Sequence, residues 1–253
     1  MLTSLAGRSD LETDRHHQLA PDVVLIDAHD GTARLIDLGG RFHALSAMAV
    51  TMLRAVLRSG VDTAAAEIAA EHRADPDLVR ADLKQLLVTL TREGLIQDSA
   101  RRQDRGGWLS RTLLTAFVAV LSGLRRLPLG RRRRASLFLG SAYLSFRFFG
   151  WRKTIAAWQR LRRNQLSDEP DDTAIRDIDE AVRQSAAAHL LPVACKERAL
   201  CCWVLLGAAG IRSELVIGLT LYPLAGHCWC EARGCCLSDD PGPCEMFTPL
   251  IRY

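Results

Sequence analysis

The first 194 residues contain no cysteine; all eight lie between Cys195 and Cys244. A disulfide framework running through the whole chain is thereby excluded. No secretory signal opens the sequence, whose first 19 residues are polar and include Asp10, Glu12 and Asp14, unlike a signal or transit peptide. The expectation is a cytoplasmic chain with mostly reduced thiols. Long apolar runs are also missing. The nearest, residues 113–124, offers 12 positions before Arg125 and Arg126, whereas spanning a bilayer takes about 20. It reads as a core helix with a solvated basic face, or as a helix lying on a membrane surface or under a partner. Acids nearly vanish from residues 101–164, where 16 basic residues face one acid, Asp104. No internal repeat or low-complexity tract is present, which excludes solenoids and linker-like chains.

What remains is a chain of 253 residues, 48% hydrophobic and 25% charged, in the range of folded globular proteins. At about 100–200 residues per domain, that allows one large domain or two small ones. Residues 20–98 carry eight basic and twelve acidic residues, in contrast to the basic stretch that follows. Strands are predicted at 23–26, 34–38 and 41–45, the first two separated by the turn signal His29-Asp30-Gly31. Ser46 then caps a helix over 47–58 closed at Gly60, and a second starts at Asp62 or Thr63 and runs to about His72. Asp75 caps a third helix with Pro76 at its first position, running to Glu93 before Gly94. Its apolar residues Leu78, Val79, Leu83, Leu86, Leu87 and Leu90 have helical spacing. Three strands and three helices also describe a winged DNA-binding domain, but the net negative charge of this unit lacks the footprint phosphates require. Nucleic acid is not an expected partner.

Residues 99–107 read as a polar linker. Helices are predicted at 108–124, 135–149 and 152–163, then at 173–189 after the acidic stop at 168–172. Another begins at Ala194 or Cys195 and ends at Gly207 or Gly210. Strands follow at 213–221, 226–232 and 235–238.

Cys195 stands at a predicted helix start, where free N–H groups and the helix dipole favour a thiolate, with Lys196 and Arg198 adding positive charge. Cys201 and Cys202 fall inside the same helix and read as small hydrophobes. A thiol nucleophile requires a base, and the base an orienting acid. His227 opens a predicted strand, sharing a face with Trp229 and Glu231. A two-residue turn after it would give Arg233 an unfavourable positive φ. A three-residue loop, Ala232-Arg233-Gly234, instead closes on Glu231 and Cys235 and sets Asp239 opposite His227; the two-residue turn would set Asp240 there. Asp239 is the expected acid and Asp240 the fallback. In the preferred register Cys228, Cys230 and Cys236 share the face opposite His227. Three thiols could hold zinc, but the spacing lacks paired C-x2-C knuckles. They read as inert thiols, with a Cys230/Cys236 redox pair as the alternative. His29, His43 and His189 read as surface or capping residues.

The segments LPVACKERALCCWVLLGAAGIRSELVIG, GHCWCEARG and FTPLI together resemble the leader peptidase of lasso peptide biosynthesis. That resemblance implies a transglutaminase-like, papain-related fold with a Cys-His-Asp triad, carried here by Cys195, His227 and Asp239. The strand–helix unit before it resembles the leader-recognition domain related to the small PQQ-biosynthesis peptide chaperone, and the two in this order resemble the fused lasso B protein. Two departures stand out: Lys196-Glu197 replace the family's usual Leu-Pro, and Cys228 and Cys230 replace Ala and Val around Trp229.

The expectation is an α+β chain. A PqqD-like, winged-helix-like domain of three strands and three helices spans 16–98, a linker 99–107, and a helical region leading into a transglutaminase-like cysteine peptidase domain 108–253. The resemblance implies removal of the leader from a ribosomally made precursor before macrocyclisation by an asparagine-synthetase-like cyclase. No metal or organic cofactor is required for such chemistry, and the basic helices are a candidate peripheral membrane contact. A leader peptide disordered when free calls for a ready-made strand edge. In the resembled domain the strand 41–45 lies beside the third helix. Phe42 and Ala44 on one strand face, and Arg80, Lys84 and Leu87 along the helix, are the expected leader contacts. Two other readings use the same residues: a precursor-docking subunit with a silent triad, and transglutaminase-type acyl transfer to an amine.

Overall fold

A computed structural model describes residues 17–28, 30–98, 107–126, 128–162 and 172–253. His29, the linker at 99–106 and the acidic stop at 168–171 lie outside them. The chain divides into two compact units, residues 1–107 and 108–253.

In the first unit, β1 (His17–Leu19) pairs with β5 (Ile96–Asp98), while β2 (Val23–Asp27), β3 (Ala33–Asp37) and β4 (Arg41–Leu45) form an antiparallel meander. The β2–β3 turn follows from Asp30, whose carboxylate accepts the Thr32 N–H at 2.9 Å, and from Gly31 at φ +79°. Ser46 Oγ accepts the Ala49 N–H at 3.3 Å and starts α1 (Ala47–Ser59). Gly60, at φ +81°, ends α1 and directly precedes α2 (Val61–His72), so that helix begins one residue before Asp62. Asp75 caps α3 (Pro76–Arg92) by accepting the Asp77 N–H at 2.9 Å. Ala33, Leu35 and Leu45 from one sheet face meet Leu53, Val56, Ile68, Leu83 and Leu87 in a single core. The terminal pair β1–β5 was not foreseen; at three residues each, these strands carry too little pattern.

The second unit opens with α4 (Gly107–Arg126), which buries Leu121 and leaves Leu113 and Val120 exposed. Among the described residues no helix is long and apolar enough to cross a membrane. Next comes α5 (Arg131–Gln159), broken at Gly150 (φ +72°), as the two separate predicted helices require. It begins four residues earlier than expected, with Arg131–Arg134 in its first turn. Then α6 (Asp172–Ala187) and α7 (Cys195–Ala209) precede β6 (Glu214–Leu221), β7 (Leu224–Ala232), β8 (Cys235–Leu237), α8 (Pro241–Glu245) and β9 (Thr248–Arg252). The sheet is antiparallel in the order β8-β7-β6-β9.

From Cys195 to Ala208 no residue of α7 is exposed, and from Ala199 on the helix is apolar on every side. It packs on β7 and β6, with α5 and α6 against it. Phe138 and Trp158 meet edge to face at 5.7 Å, and the Trp158 Nε1–H donates to Ser145 Oγ at 2.9 Å. Arg162 lies over the Trp203 ring at 4.3 Å and donates to the Ser213 carbonyl at 3.0 Å. A Cβ at Gly207 would stand 2.6 Å from the Arg162 side chain, so the glycine leaves the notch the guanidinium fills.

Candidate active site

The β7–β8 hairpin overturns the expected three-residue loop. Ala232 pairs with Cys235, Glu231 with Cys236 and Cys230 with Leu237, leaving the two-residue turn Arg233-Gly234. Both turn residues have positive φ, +55° and +76°, the geometry that matches strand twist. Arg233 adopts it with its guanidinium on Asp172 at 2.8 Å. In that ladder Asp240 would stand opposite His227. However, β8 ends at Leu237, and Ser238 takes a left-handed φ of +67°, redirecting the chain. As a result Asp239 Oδ2 lies 3.3 Å from His227 Nε2, while Asp240 turns to Arg183 at 2.8 Å. The anticipated neighbour arises from a different register. His227 is also the fourth residue of β7, which starts two residues earlier than expected.

The loop carrying Asp239 is fastened from α6. Arg183 donates to the Asp239 carbonyl, the Asp240 carboxylate and Asp179, and Asp179 in turn accepts the Ser238 N–H. Neither α6 residue was foreseen; an Asp-x3-Arg pair on a helix reads as a surface pair until its partners are known. On the other side, Arg198 Nη2 donates to Asp239 Oδ2 at 2.6 Å.

Cys195 is the first residue of α7, and its sulfur takes the backbone N–H groups of Cys228 and Lys196. Cys228 follows His227 directly, so this contact ties the helix start to the histidine strand. Glu197, 2% exposed, accepts the Ala194 N–H at 2.8 Å, one half of a capping box whose other half an alanine at the cap cannot supply. The departure Lys196-Glu197 thus supplies an N-terminal cap, and Lys196 Nζ lies 5.5 Å from the Phe146 ring centre.

Burial pushes the Cys195 thiol up from its ordinary value, with Glu197 adding to the rise. The two N–H groups and Arg198 oppose it without winning. The expected helix-start thiolate is therefore corrected: desolvation outweighs the helix end. Burial and Arg198 push His227 below 6.5, with Asp239 opposing. The His227 ring is stacked with Trp229 at 6.0 Å and with Phe247 at 5.1 Å, at interplanar angles of 20° and 28°. Gly218, cross-strand from His227, permits this, since a Cβ there would meet the Trp229 ring at 2.6 Å and Phe247 at 2.8 Å.

The expected three-thiol face does not exist. Cys228 and Cys230 are buried towards α7, where Cys230 contacts Cys202. Cys236, paired with Glu231, projects from the opposite face and forms a disulfide with Cys244. The register shift thus removes both the zinc arrangement and the Cys230/Cys236 pair; the other six cysteines are free. Among the described residues no group of three His, Cys, Asp or Glu side chains is gathered for a metal.

In the first unit, β4 is an edge strand of its sheet, with Phe42 half-buried and Ala44 exposed on the same strand face. Lys84 is exposed, and Arg80 is held by Asp62 at 2.9 Å and by Asp77. Leu87 departs from expectation. It is 5% exposed and part of the core, so it is not a free leader contact. The stripe lies at the core boundary, where a long arginine reaches water from a half-buried stem and a leucine points inward.

Residues 137–252 match the transglutaminase-like superfamily, and residues 22–96 match coenzyme PQQ synthesis protein D (PqqD). Neither the curated proteins nor the solved structures include a match to the chain. The superfamily includes cysteine peptidases, and a PqqD domain implies binding of a precursor peptide. The chain joins a PqqD domain to a transglutaminase-like domain, in the order found in the fused B protein of lasso peptide biosynthesis.

Proposed function

We propose that this chain is a cytoplasmic cysteine peptidase that recognises a ribosomally made lasso precursor and removes its leader. The carrying observation is the approach of Asp239 to His227 at 3.3 Å, with the Cys195 sulfur beside the N–H of the next residue, Cys228. In the reaction, His227 takes the thiol proton as the sulfur of Cys195 bonds to the scissile carbonyl carbon. The Cys195 N–H at the helix start is a donor for the developing oxyanion. Collapse of the intermediate breaks the C–N bond, and His227 returns the proton to the leaving amine. Water, deprotonated by His227, then hydrolyses the thioester and restores the thiol. Asp239 orients the ring and stabilises its cation. No step calls for a metal or cofactor. The PqqD domain supplies leader affinity through the β4 edge with Phe42 and Ala44, and through Arg80 and Lys84 of α3. An asparagine-synthetase-like cyclase is the consumer of the freed core peptide, and the Arg-rich start of α5 supports peripheral contact with an anionic membrane.

Mass spectrometry of precursor incubated with the purified chain tests this reading. The unaltered chain is expected to yield leader and core fragments. Cys195→Ala and His227→Ala should each reduce cleavage on the order of 10⁴-fold or more. Full cleavage by Cys195→Ala overturns it.

A further inference from the structure

Asp239 serves two partners through one oxygen. Its Oδ2 is 2.6 Å from Arg198 Nη2 and 3.3 Å from His227 Nε2. The guanidinium has the short, charge-assisted contact; the imidazole faces the same oxygen without the alignment of a hydrogen bond. Arg198 follows Cys195 by about one turn of α7, so thiol and guanidinium occupy the same helix end. Asp239 Oδ1 accepts the Asp240 N–H at 3.0 Å, which fixes the carboxylate from its own loop.

We propose that Arg198 is a positioning residue whose guanidinium fixes and counterbalances the Asp239 carboxylate, so that Asp239 orients His227 without holding it as an imidazolium. The kinetic part of this inference rests on the peptidase reading; the electrostatic part does not. A lone carboxylate about 3–4 Å from an imidazole favours the cation and raises its pKa by about 1–3 units. A base already protonated at neutral pH cannot accept the proton of a neutral thiol. A cation on the same oxygen cancels much of that pull while leaving the carboxylate in place. The charged groups around His227 are Asp239 from the loop after β8 and Arg198 from α7. Arg183 and Asp179 of α6, with Asp240, lie behind Asp239, and Glu197 and Lys196 flank the thiol. Arg198 and burial together keep His227 below its ordinary value, in line with this role.

NMR titration of His227, in the full chain carrying Cys195→Ala, reads the ring without turnover. Arg198→Gln is expected to raise the His227 midpoint by about one pH unit or more. With Cys195 intact, the acid limb of kcat/KM should move up by the same amount. Cleavage at neutral pH would fall about tenfold and recover towards alkaline pH. Arg198→Lys, which keeps the charge, should return both midpoints towards those of the unaltered chain. An unmoved His227 midpoint in a folded Arg198→Gln chain overturns the proposal, as does a loss of activity equal at every pH. If Arg198→Gln does not fold, Asp239→Asn carries the test. With the acid neutralised and Arg198 retained, the His227 midpoint should fall, and a midpoint that rises or stays overturns the proposal. Failure of the unaltered chain to cleave precursor counts against the peptidase reading, while the titration still decides the role of Arg198.

Discussion

In the first unit every helix keeps a face in water; in the second, α7 keeps none between Cys195 and Ala208. The first unit has no cysteine and an acidic balance, and its sheet ends on the edge strand β4. The second packs its thiols around a buried helix and brings Arg198, Asp239 and His227 together in one half-buried site. On the proposed function, the difference matches two tasks. Holding a flexible peptide takes an accessible edge and side chains that adapt. Proton transfer between a thiol and an imidazole takes groups withdrawn from water, where burial sets their charge state.

The sharpest way to break this comparison is through the acid. Asp239→Asn is expected to lower kcat/KM by about 10²–10⁴-fold, and Asp240→Asn by only a few-fold, because Asp240 acts through Arg183. Steady-state cleavage rates decide between them, and the reverse order would return the role to Asp240. The next largest effect is in the first unit. Leu87→Ala should destabilise it by about 2–5 kcal/mol, as a core leucine does, seen as an earlier melting transition of the full chain. Smaller is the effect of pH on alkylation of Cys195, followed by peptide mapping to separate it from the exposed Cys235. Labelling should rise only above the pH at which an ordinary cysteine reacts, since burial disfavours the thiolate. Cleavage should persist below the ordinary histidine value of 6.5 and fall as His227 takes a proton. The smallest change is expected of Lys84→Glu, a few-fold loss of leader affinity by calorimetry with no change in melting.

What could be read in advance follows the same division. Ser46, Gly60, Asp75 and Pro76 act on residues within one turn, so their consequences are local and the helices of the first unit lie close to where the pattern sets them. Cys195 at a helix start and His227 on a strand were legible for the same reason. Their surroundings were not. Arg233 takes a positive φ in a two-residue turn, with its guanidinium on Asp172, far away in sequence, and that turn sets the whole β8 register. Ser238 then turned the chain and brought Asp239 back to the histidine. Leu87 and Arg80 occupy nearly the same helical angle, yet one is core and the other is ion-paired, a distinction made by side-chain length rather than by spacing. Strand β9 contains Pro249 and is mostly exposed, so neither alternation nor apolarity marked it.

The notch at Gly207 has a consequence for how such a chain varies through descent. The Arg162 guanidinium fills the space where a Cβ would stand and holds the Ser213 carbonyl at the entrance to β6. A lineage that gains any side chain at position 207 must shed or redirect the arginine at 162, and one that loses the arginine leaves a void that a larger residue at 207 can fill. The two positions, distant in sequence, are therefore expected to be inherited as a couple, Gly with Arg or neither.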